Sequence, residues 1–384
     1  MTGCNVCGTG LGAPIYTSSG HGSMTTMLQV YEAPTVVSFC DICGHLQTDC
    51  IVDPADYYAH QYSILATSDD EDLLYKVVDG RQVFQVEHRV ATLLNKVPLP
   101  PGAHVLDFGC AKGSVIRRLH GQRSDITPYY FDVTDRYLPF WQGTMQPAQW
   151  AVGVPPPDWR ARFDLICSFY VLEHVADPVG TVACMAHLIK PGGWFYAIVP
   201  NALANTADLI VADHLQHFSE TSWHETLRRA GLHVVEVDDQ SHESAYVVVA
   251  RKSAPAMPAP PPRQSPAELR RQYAEMFSRW TQLANRIRGF EQTTARNRSA
   301  CVYGAGFYGN FMASCLDHPE FVQCFVDQNP HLTGRTMLGK AIVGPSDLGP
   351  DVEVVYAGLN PAIARSVIED IPSWRDRNLD FFYL

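Results

Sequence analysis

The sequence is short of positive charge. Lys and Arg total 29 against 40 Asp and Glu, a formal charge of −11. An acidic surface repels phosphate backbones, so nucleic acid and anionic membranes are poor partners, and small molecules or other proteins are expected. Long apolar runs are missing too. The stretch at 245–250, AYVVVA, is far short of the roughly 18 residues needed to cross a bilayer, so no membrane partner is expected. Residues 1–20 lack a basic segment and an apolar segment, which argues against a signal peptide and for a cytoplasmic protein. Low complexity is absent: 46% of residues are apolar and 11% aromatic, which excludes disorder and collagen for the chain as a whole. A length of 384 residues allows two or three domains.

What is present begins with cysteine. There are eleven, an odd number with no export signal, so clustered thiols read as metal ligands rather than disulfides. Cys4-Asn-Val-Cys7 and Cys40-Asp-Ile-Cys43 are separated by 32 residues. Each pair places two thiolates on one tight turn, and two such turns complete a tetrahedral four-sulfur shell suited to a structural zinc ion. The alternative is a redox pair, but such a pair opens a helix beside a βαβ unit, and neither pair here does. Cys50, Cys167, Cys184, Cys301, Cys315 and Cys324 read as ordinary buried thiols.

Composition divides the chain into a cysteine-bearing segment 1–55, a segment 56–252, a proline-rich linker 253–266 and a final segment 267–384. Residues 56–98 read as helical. Across 103–252 short apolar strands alternate with helical patterns, the signature of a parallel α/β sheet. Prolines at 255, 258, 260, 261, 262 and 266 make the linker semi-rigid. Beyond it, Leu269, Tyr273, Met276, Phe277, Trp280, Leu283, Ala284 and Ile287 form an apolar helical stripe, read as a packing face between domains.

Val105-Leu-Asp107-Phe-Gly109-Cys-Ala-Lys-Gly113 follows an apolar strand and opens a helix. Glycines at 109 and 113 let backbone approach a ligand at the strand's carboxyl end, where open α/β sheets bind their ligands. The run Tyr129-Tyr-Phe-Asp132 places a carboxylate 19 residues beyond Gly113, the type of group that binds ribose hydroxyls. Phe163–Ser168 reads as a central strand, Pro191-Gly-Gly193 as a turn, and Trp194–Pro200 as a further strand. This ordered set, over roughly 85–252, resembles the class I S-adenosylmethionine-dependent methyltransferases. The resemblance implies that Asp107, Gly109 and Gly113 hold the methionine end of the cofactor and Asp132 its ribose, with Cys110 and Ser168 also lining the site.

A second glycine loop, Gly304-Ala-Gly306-Phe-Tyr-Gly309, has the dinucleotide spacing G-x-G-x-x-G and follows a strand. The run Phe321–Asp327 puts an acid 18 residues beyond Gly309. An NAD site, a nucleotide-sugar site and an empty scaffold all fit, and only one βαβ unit is expected in the 85 residues from 300.

Taken together, the four-Cys segment, the central domain and the second glycine loop resemble the sugar C-methyltransferases acting on nucleotide-linked deoxysugars. The tail Val326-Asp-Gln-Asn-Pro330, Gly344-Pro345 and Tyr356-Ala-Gly-Leu-Asn360 is similar to that family's C-terminal pattern. The resemblance implies an α/β protein whose Rossmann-like methyltransferase sheet is flanked by an N-terminal zinc domain and a C-terminal Rossmann-like domain. It implies zinc and S-adenosylmethionine as cofactors and a nucleotide-linked sugar as partner, held by Tyr62, Gly304, Gly306, Gly309 and Asp327. Asp213-His214 matches the family's acid-His pair, making His214 a candidate general base, and His174 in Leu-Glu-His-Val matches another active-site histidine. Val211 stands where the family has Tyr, which removes a possible oxyanion donor and leaves O-methylation of a sugar hydroxyl open beside C-methylation through an enolate. A nucleotide-binding module without catalysis is the third reading. His187 and His217 read as surface or packed residues.

Overall fold

The computed structural model describes residues 3–18, 23–31, 33–49, 57, 62, 72–78, 81–252, 261–330, 332–359 and 363–384. Two compact units divide the chain, and neither is continuous in sequence. Met1–Ala13, Ser38–Leu209 and His214–Gln272 form the first; Pro14–Val37, Ile210–Asp213 and Tyr273–Leu384 form the second.

The first unit is built on seven strands: β1 (His104–Phe108), β2 (Thr127–Asp132), β3 (Trp150–Val152), β4 (Phe163–Phe169), β5 (Ile189–Pro200), β6 (Leu232–Asp238) and β7 (Ala245–Lys252). Their order is β3-β2-β1-β4-β5-β7-β6. The first five run parallel, while β7 is antiparallel to both β5 and β6. Chain order therefore reverses between β1 and β4, and the carboxyl ends of these two strands flank the crevice in which such sheets bind ligands.

Why these segments form strands follows from their period of two. Val105, Leu165, Cys167, Tyr196, Ile198, Val247 and Val249 enter one buried cluster. Their neighbours Leu106, Phe108, Ile166, Ala197, Val199, Tyr246 and Val248 enter another. A sheet covered on both faces demands apolar residues at every position, which is why its central strands read as unbroken apolar runs. Helices α1 (Gln85–Lys96) and α2 (Ser114–Gln122) contribute Val90, Leu93, Val115, Ile116 and Leu119 to the first cluster; α3 (Pro178–Leu188) contributes Val182, Met185 and Leu188 to the second, as does α4 (Glu220–Arg229) through Trp223 and Leu227.

Three expectations change. Residues 56–98 are not helical throughout: an antiparallel pair, Leu74–Val78 with Arg81–Phe84, precedes α1. In sequence, Asp79-Gly80, which lie outside the described residues, are a dipeptide favoured in two-residue hairpins, a signal the helical reading passed over. Pro191-Gly-Gly193 lies within β5, where Phe163 pairs with Ile189 but Leu165 with Trp194; the extra residues bulge out, with Gly192 at φ +78°. Cys184 is exposed on α3 rather than buried, and Cys50 lies outside the described residues, as do residues 253–260 of the linker.

Helix α5 (Pro266–Phe290) begins at the last proline assigned to the linker. Pro is compatible with a first helical position because no partner is needed there. Ser265 and Glu268 close a capping box: Ser265 N donates to Glu268 Oε2 at 2.8 Å, and Glu268 N to Ser265 Oγ at 3.3 Å. The apolar stripe is buried at Leu269, Tyr273, Phe277, Trp280, Ala284 and Ile287.

The second unit holds β8 (Ala300–Tyr303), β9 (Val322–Val326), β10 (Thr336–Met337), β11 (Lys340–Val343), β12 (Val354–Ala357) and β13 (Asp380–Tyr383), in the order β10-β11-β9-β8-β12-β13. Five of the six are parallel. The expectation of a single βαβ unit undercounts this sheet, because its strands are short and several crossovers carry only brief helical turns. Helix α6 (Phe307–Cys315) follows β8, and Trp280 packs edge-to-face on Phe311 with ring centroids 4.9 Å apart. Among the described residues, no helix is long and apolar enough to cross a membrane.

Candidate functional site

The four-cysteine group assembles as its spacing implies. Cys4 and Cys43 Sγ lie 3.6 Å apart, Cys7 and Cys40 Sγ 3.4 Å, and all four within 4.8 Å of one another. Four sulfurs at about 2.3 Å from a zinc ion would sit about 3.8 Å apart, so the donor set fits that ion and closes its shell. The two turns are alike. Gly8 N donates to Cys4 O at 2.8 Å and Gly44 N to Cys40 O at 2.9 Å, with φ +78° and +66° at the glycines.

The first glycine loop leaves the end of β1. Gly109 N and Cys110 N both donate to Phe131 O, at 2.8 and 3.0 Å, tying the loop to β2. A Cβ on Gly109 would come within 2.4 Å of Val171, and one on Gly113 within 2.5 Å of the Tyr130 ring; both residues have positive φ. The fold itself therefore requires these glycines, apart from any ligand. Asp132 accepts from Ala111 N at 2.9 Å and from Thr134 N at 3.2 Å, so the carboxylate expected at the ribose also braces the loop. Cys110 is buried beside it, and Ser168 Oγ donates to Phe108 O at 3.0 Å, joining β4 to β1.

Asp107 is the group in this crevice that points most directly to a ligand. It is buried, and its Oδ1 has no hydrogen-bond partner among the described residues. Burial pushes its carboxyl up to about 8, Arg89 draws it down and Asp132 pushes it up. A buried acceptor without a donor is costly unless a ligand supplies one. The cationic amino-acid end of S-adenosylmethionine is such a donor, so the residues present fit that cofactor.

Beyond β4 the chain turns through Glu173 and His174. Gln216 N donates to Glu173 O at 2.9 Å, and Gln216 Nε2 to Val175 O at 2.8 Å, which brings the 214–217 segment alongside. The rings of His174 and His214 meet edge-to-face, centroids 4.7 Å apart, and Tyr62 Oη lies 3.4 Å from His174 Nε2.

The carboxylate that meets His214 is one the sequence did not single out. Asp208 binds His214 Nδ1 through one oxygen and His217 Nδ1, at 2.6 Å, through the other. His217 Nε2 in turn lies 2.9 Å from Thr48 Oγ1. Burial pushes the Asp208 carboxyl up, but the two imidazoles and their hydrogen bonds outweigh that and hold it well below the usual carboxylate range. An ionised carboxylate only accepts, so both Nδ1 atoms carry hydrogen. His217 is buried, as the packed reading expected, and shares the Asp208 carboxylate with His214. Asp213, the acid adjacent in sequence, is fully buried in the second unit and accepts from Thr26 N at 2.8 Å and Thr26 Oγ1 at 2.5 Å. Glu173 was also passed over. It is buried, neither oxygen has a hydrogen-bond partner among the described residues, and burial pushes it up to about 8 against the pull of His214.

The second glycine loop repeats the bracing of the first. Gly304 N donates to Val326 O at 2.7 Å, and Asp327 accepts from Ala305 N and Asn329 N, each at 2.8 Å. A Cβ on Gly304 or Gly309 would strike backbone at 2.5 and 1.9 Å, whereas one on Gly306 meets nothing within 4 Å. Gly306 caps α6, and among the described residues the buried side chain of Asn310 has no partner for either amide atom.

Comparison with known proteins agrees with the first unit. Residues 81–237 match the family described as methyltransferase domain. The chain is 28% identical over 152 residues to a ubiquinone biosynthesis O-methyltransferase of Thiobacillus denitrificans, covering 36% of this chain and 64% of that protein. It is 30% identical over 184 residues to a protein of the same name from Xylella fastidiosa, covering 40% and 70%. It is also similar to the solved structure of Burkholderia thailandensis 1,6-didemethyltoxoflavin-N1-methyltransferase with bound 1,6-didemethyltoxoflavin and S-adenosylhomocysteine, at 22% identity and TM-score 0.34 over 44% of this chain and 78% of that one. This chain spans less than two thirds of the Thiobacillus relative. A mostly parallel sheet with a glycine loop at its switch point defines a doubly wound α/β protein. More narrowly, the chain belongs to the S-adenosylmethionine-dependent methyltransferases.

Proposed function

We propose that the protein transfers a methyl group from S-adenosylmethionine to a nucleotide-linked sugar, at a carbon beside a carbonyl. The observation that carries the reading is the contact of Asp208 with His214 Nδ1 in the first unit. When bound, S-adenosylmethionine supplies an electrophilic methyl group on a sulfonium centre. What remains for the chain is to bind, orient and remove a proton. Asp107, the 109–113 loop, Cys110, Asp132 and Ser168 are assigned to the cofactor. His214, held in one tautomer by Asp208, is assigned the acceptor's proton, with His174 and Tyr62 beside it and Asp213 a supporting residue. The loop from Gly304 to Gly309, with Asp327, is assigned to the acceptor's nucleotide, which open space at Gly306 supports. Zinc at the four cysteines is structural.

A second reading, O-methylation of a hydroxyl, is favoured by two observations: the relatives named above are O-methyltransferases, and Val211 stands where a phenol would assist an enolate. A panel of nucleotide sugars incubated with the cofactor and followed by mass spectrometry tests both. Gain of one methyl supports sugar methylation. Loss of deuterium from the reacting carbon marks C-transfer, and its retention marks O-transfer. No gain on any sugar nucleotide rejects the acceptor class.

A further inference from the structure

Glu173 is a carboxyl group enclosed in protein, and neither oxygen has a hydrogen-bond partner among the described residues. A buried acceptor left unpaired is costly unless something completes its surroundings. Two imidazoles stand beside it: one ligand atom from each of Glu173, His174 and His214 lies within 4.8 Å of the other two. Ligand atoms about 2.0–2.2 Å from a shared ion in a tetrahedral arrangement sit about 3.3–3.6 Å apart, so a closure of at most about 1.5 Å brings all three onto one centre. Asp208 adds a second, independent feature. By binding His214 Nδ1 it leaves Nε2 as the ligand atom, the carboxylate–histidine arrangement that orients metal-bound imidazoles.

We infer that Glu173, His174 and His214 bind a divalent transition-metal cation, distinct from the ion held by the four cysteines. Two nitrogens and one oxygen form a borderline donor set with open positions, suited to manganese, iron or zinc. An acceptor oxygen taking an open position is polarised: its O–H bond breaks, the electron pair stays on oxygen shared with the cation, and the proton leaves to water. Where the acceptor is a carbon beside a carbonyl, the C–H proton leaves to water, its electron pair passes into the enolate, and the same cation steadies the enolate oxygen. The inference rests on the reading of this crevice as the acceptor side. On this reading His214 acts on the acceptor's proton through the cation, and turnover is lost in His214→Ala on either route.

The test uses the full chain, treated with a chelator mild enough to leave the thiolate-bound ion, then titrated with Mn²⁺ while electron paramagnetic resonance follows the free ion. One Mn²⁺ per chain should be withdrawn by the unaltered protein. Glu173→Gln and His174→Ala should each weaken uptake at least tenfold, and Asp208→Asn by about 10–100-fold, the range for an outer-shell partner. Circular dichroism and the metal content of the four-cysteine site report on folding of each variant. No uptake, or equal uptake by folded Glu173→Gln, overturns the cation site. The acceptor-side reading is judged separately: stripped protein that still transfers methyl groups, and loses that activity in His214→Ala, uses the imidazole as a free base. Stripped protein that regains activity only with added Mn²⁺ supports the cation.

Discussion

Asp208 lies six residues before His214 in the chain, and its carboxylate accepts the Nδ1 hydrogen of that imidazole. The other carboxylate oxygen accepts from His217, so one buried acid sets the tautomer of two histidines. Adjacency in sequence pointed to Asp213. The short helical turn Thr206–Ile210 brings Asp208 there instead.

His214→Ala should lower turnover by about 10²–10⁴-fold, the usual contribution of a positioned acid–base group. Asp208→Asn should lower it within the same range, since an amide that donates towards Nδ1 favours the wrong tautomer. Cofactor affinity, measured by calorimetry, should barely change in either variant. Asp208→Ala leaves two buried N–H groups unpaired, at about 1–3 kcal/mol each, which urea unfolding will read. Unchanged turnover in both variants would move the assignment to His174.

Asp107 offers a pH test. Its carboxyl sits at about 8 in the folded protein against 3.8 ordinarily, because of burial. As pH rises above 3.8 the unfolded chain releases this proton while the folded chain keeps it, so unfolding is favoured progressively up to about pH 8. Asp107→Asn should therefore gain stability relative to the unaltered protein as pH rises across that window. Binding of the cationic cofactor should also release protons below pH 8, detected as a binding heat that depends on the buffer's ionisation enthalpy. Parallel stability curves and no proton release would remove Asp107 from the cofactor site.

Cys40→Ser should remove one zinc per chain, seen by elemental analysis, because three thiolates no longer close the shell. Gly44→Ala tests the turn itself. Its φ is +66° and an added Cβ would approach Leu269 Cδ1 at 2.7 Å, so melting temperature should fall with zinc still present. Absence of zinc in folded, reduced protein would reject the metal centre.

Gly306→Val tests the second loop cleanly, since the position has free space and needs no positive φ. The variant should fold, bind S-adenosylmethionine as before, and bind a sugar nucleotide at least tenfold more weakly by calorimetry. Tight binding of NAD by the unaltered loop would replace the nucleotide-sugar assignment.

Local chemistry is what the sequence by itself determined. Strands β1, β2 and β4, the two glycine loops and the paired cysteine turns each depend on a few neighbouring residues, whose apolar alternation, glycine spacing or thiol spacing is visible along the chain. The strand pair Leu74–Val78 and Arg81–Phe84 was equally local but was obscured by the helical pattern beside it. Tertiary structure alone decided that residues 14–37 cluster with the C-terminal sheet, that Asp208 rather than Asp213 meets His214, and that Glu173 is enclosed beside two imidazoles. Each of these depends on the chain doubling back so that segments distant in sequence meet. A carboxylate's partner is fixed by which donors surround it once water has been excluded, and no spacing along the chain encodes that enclosure.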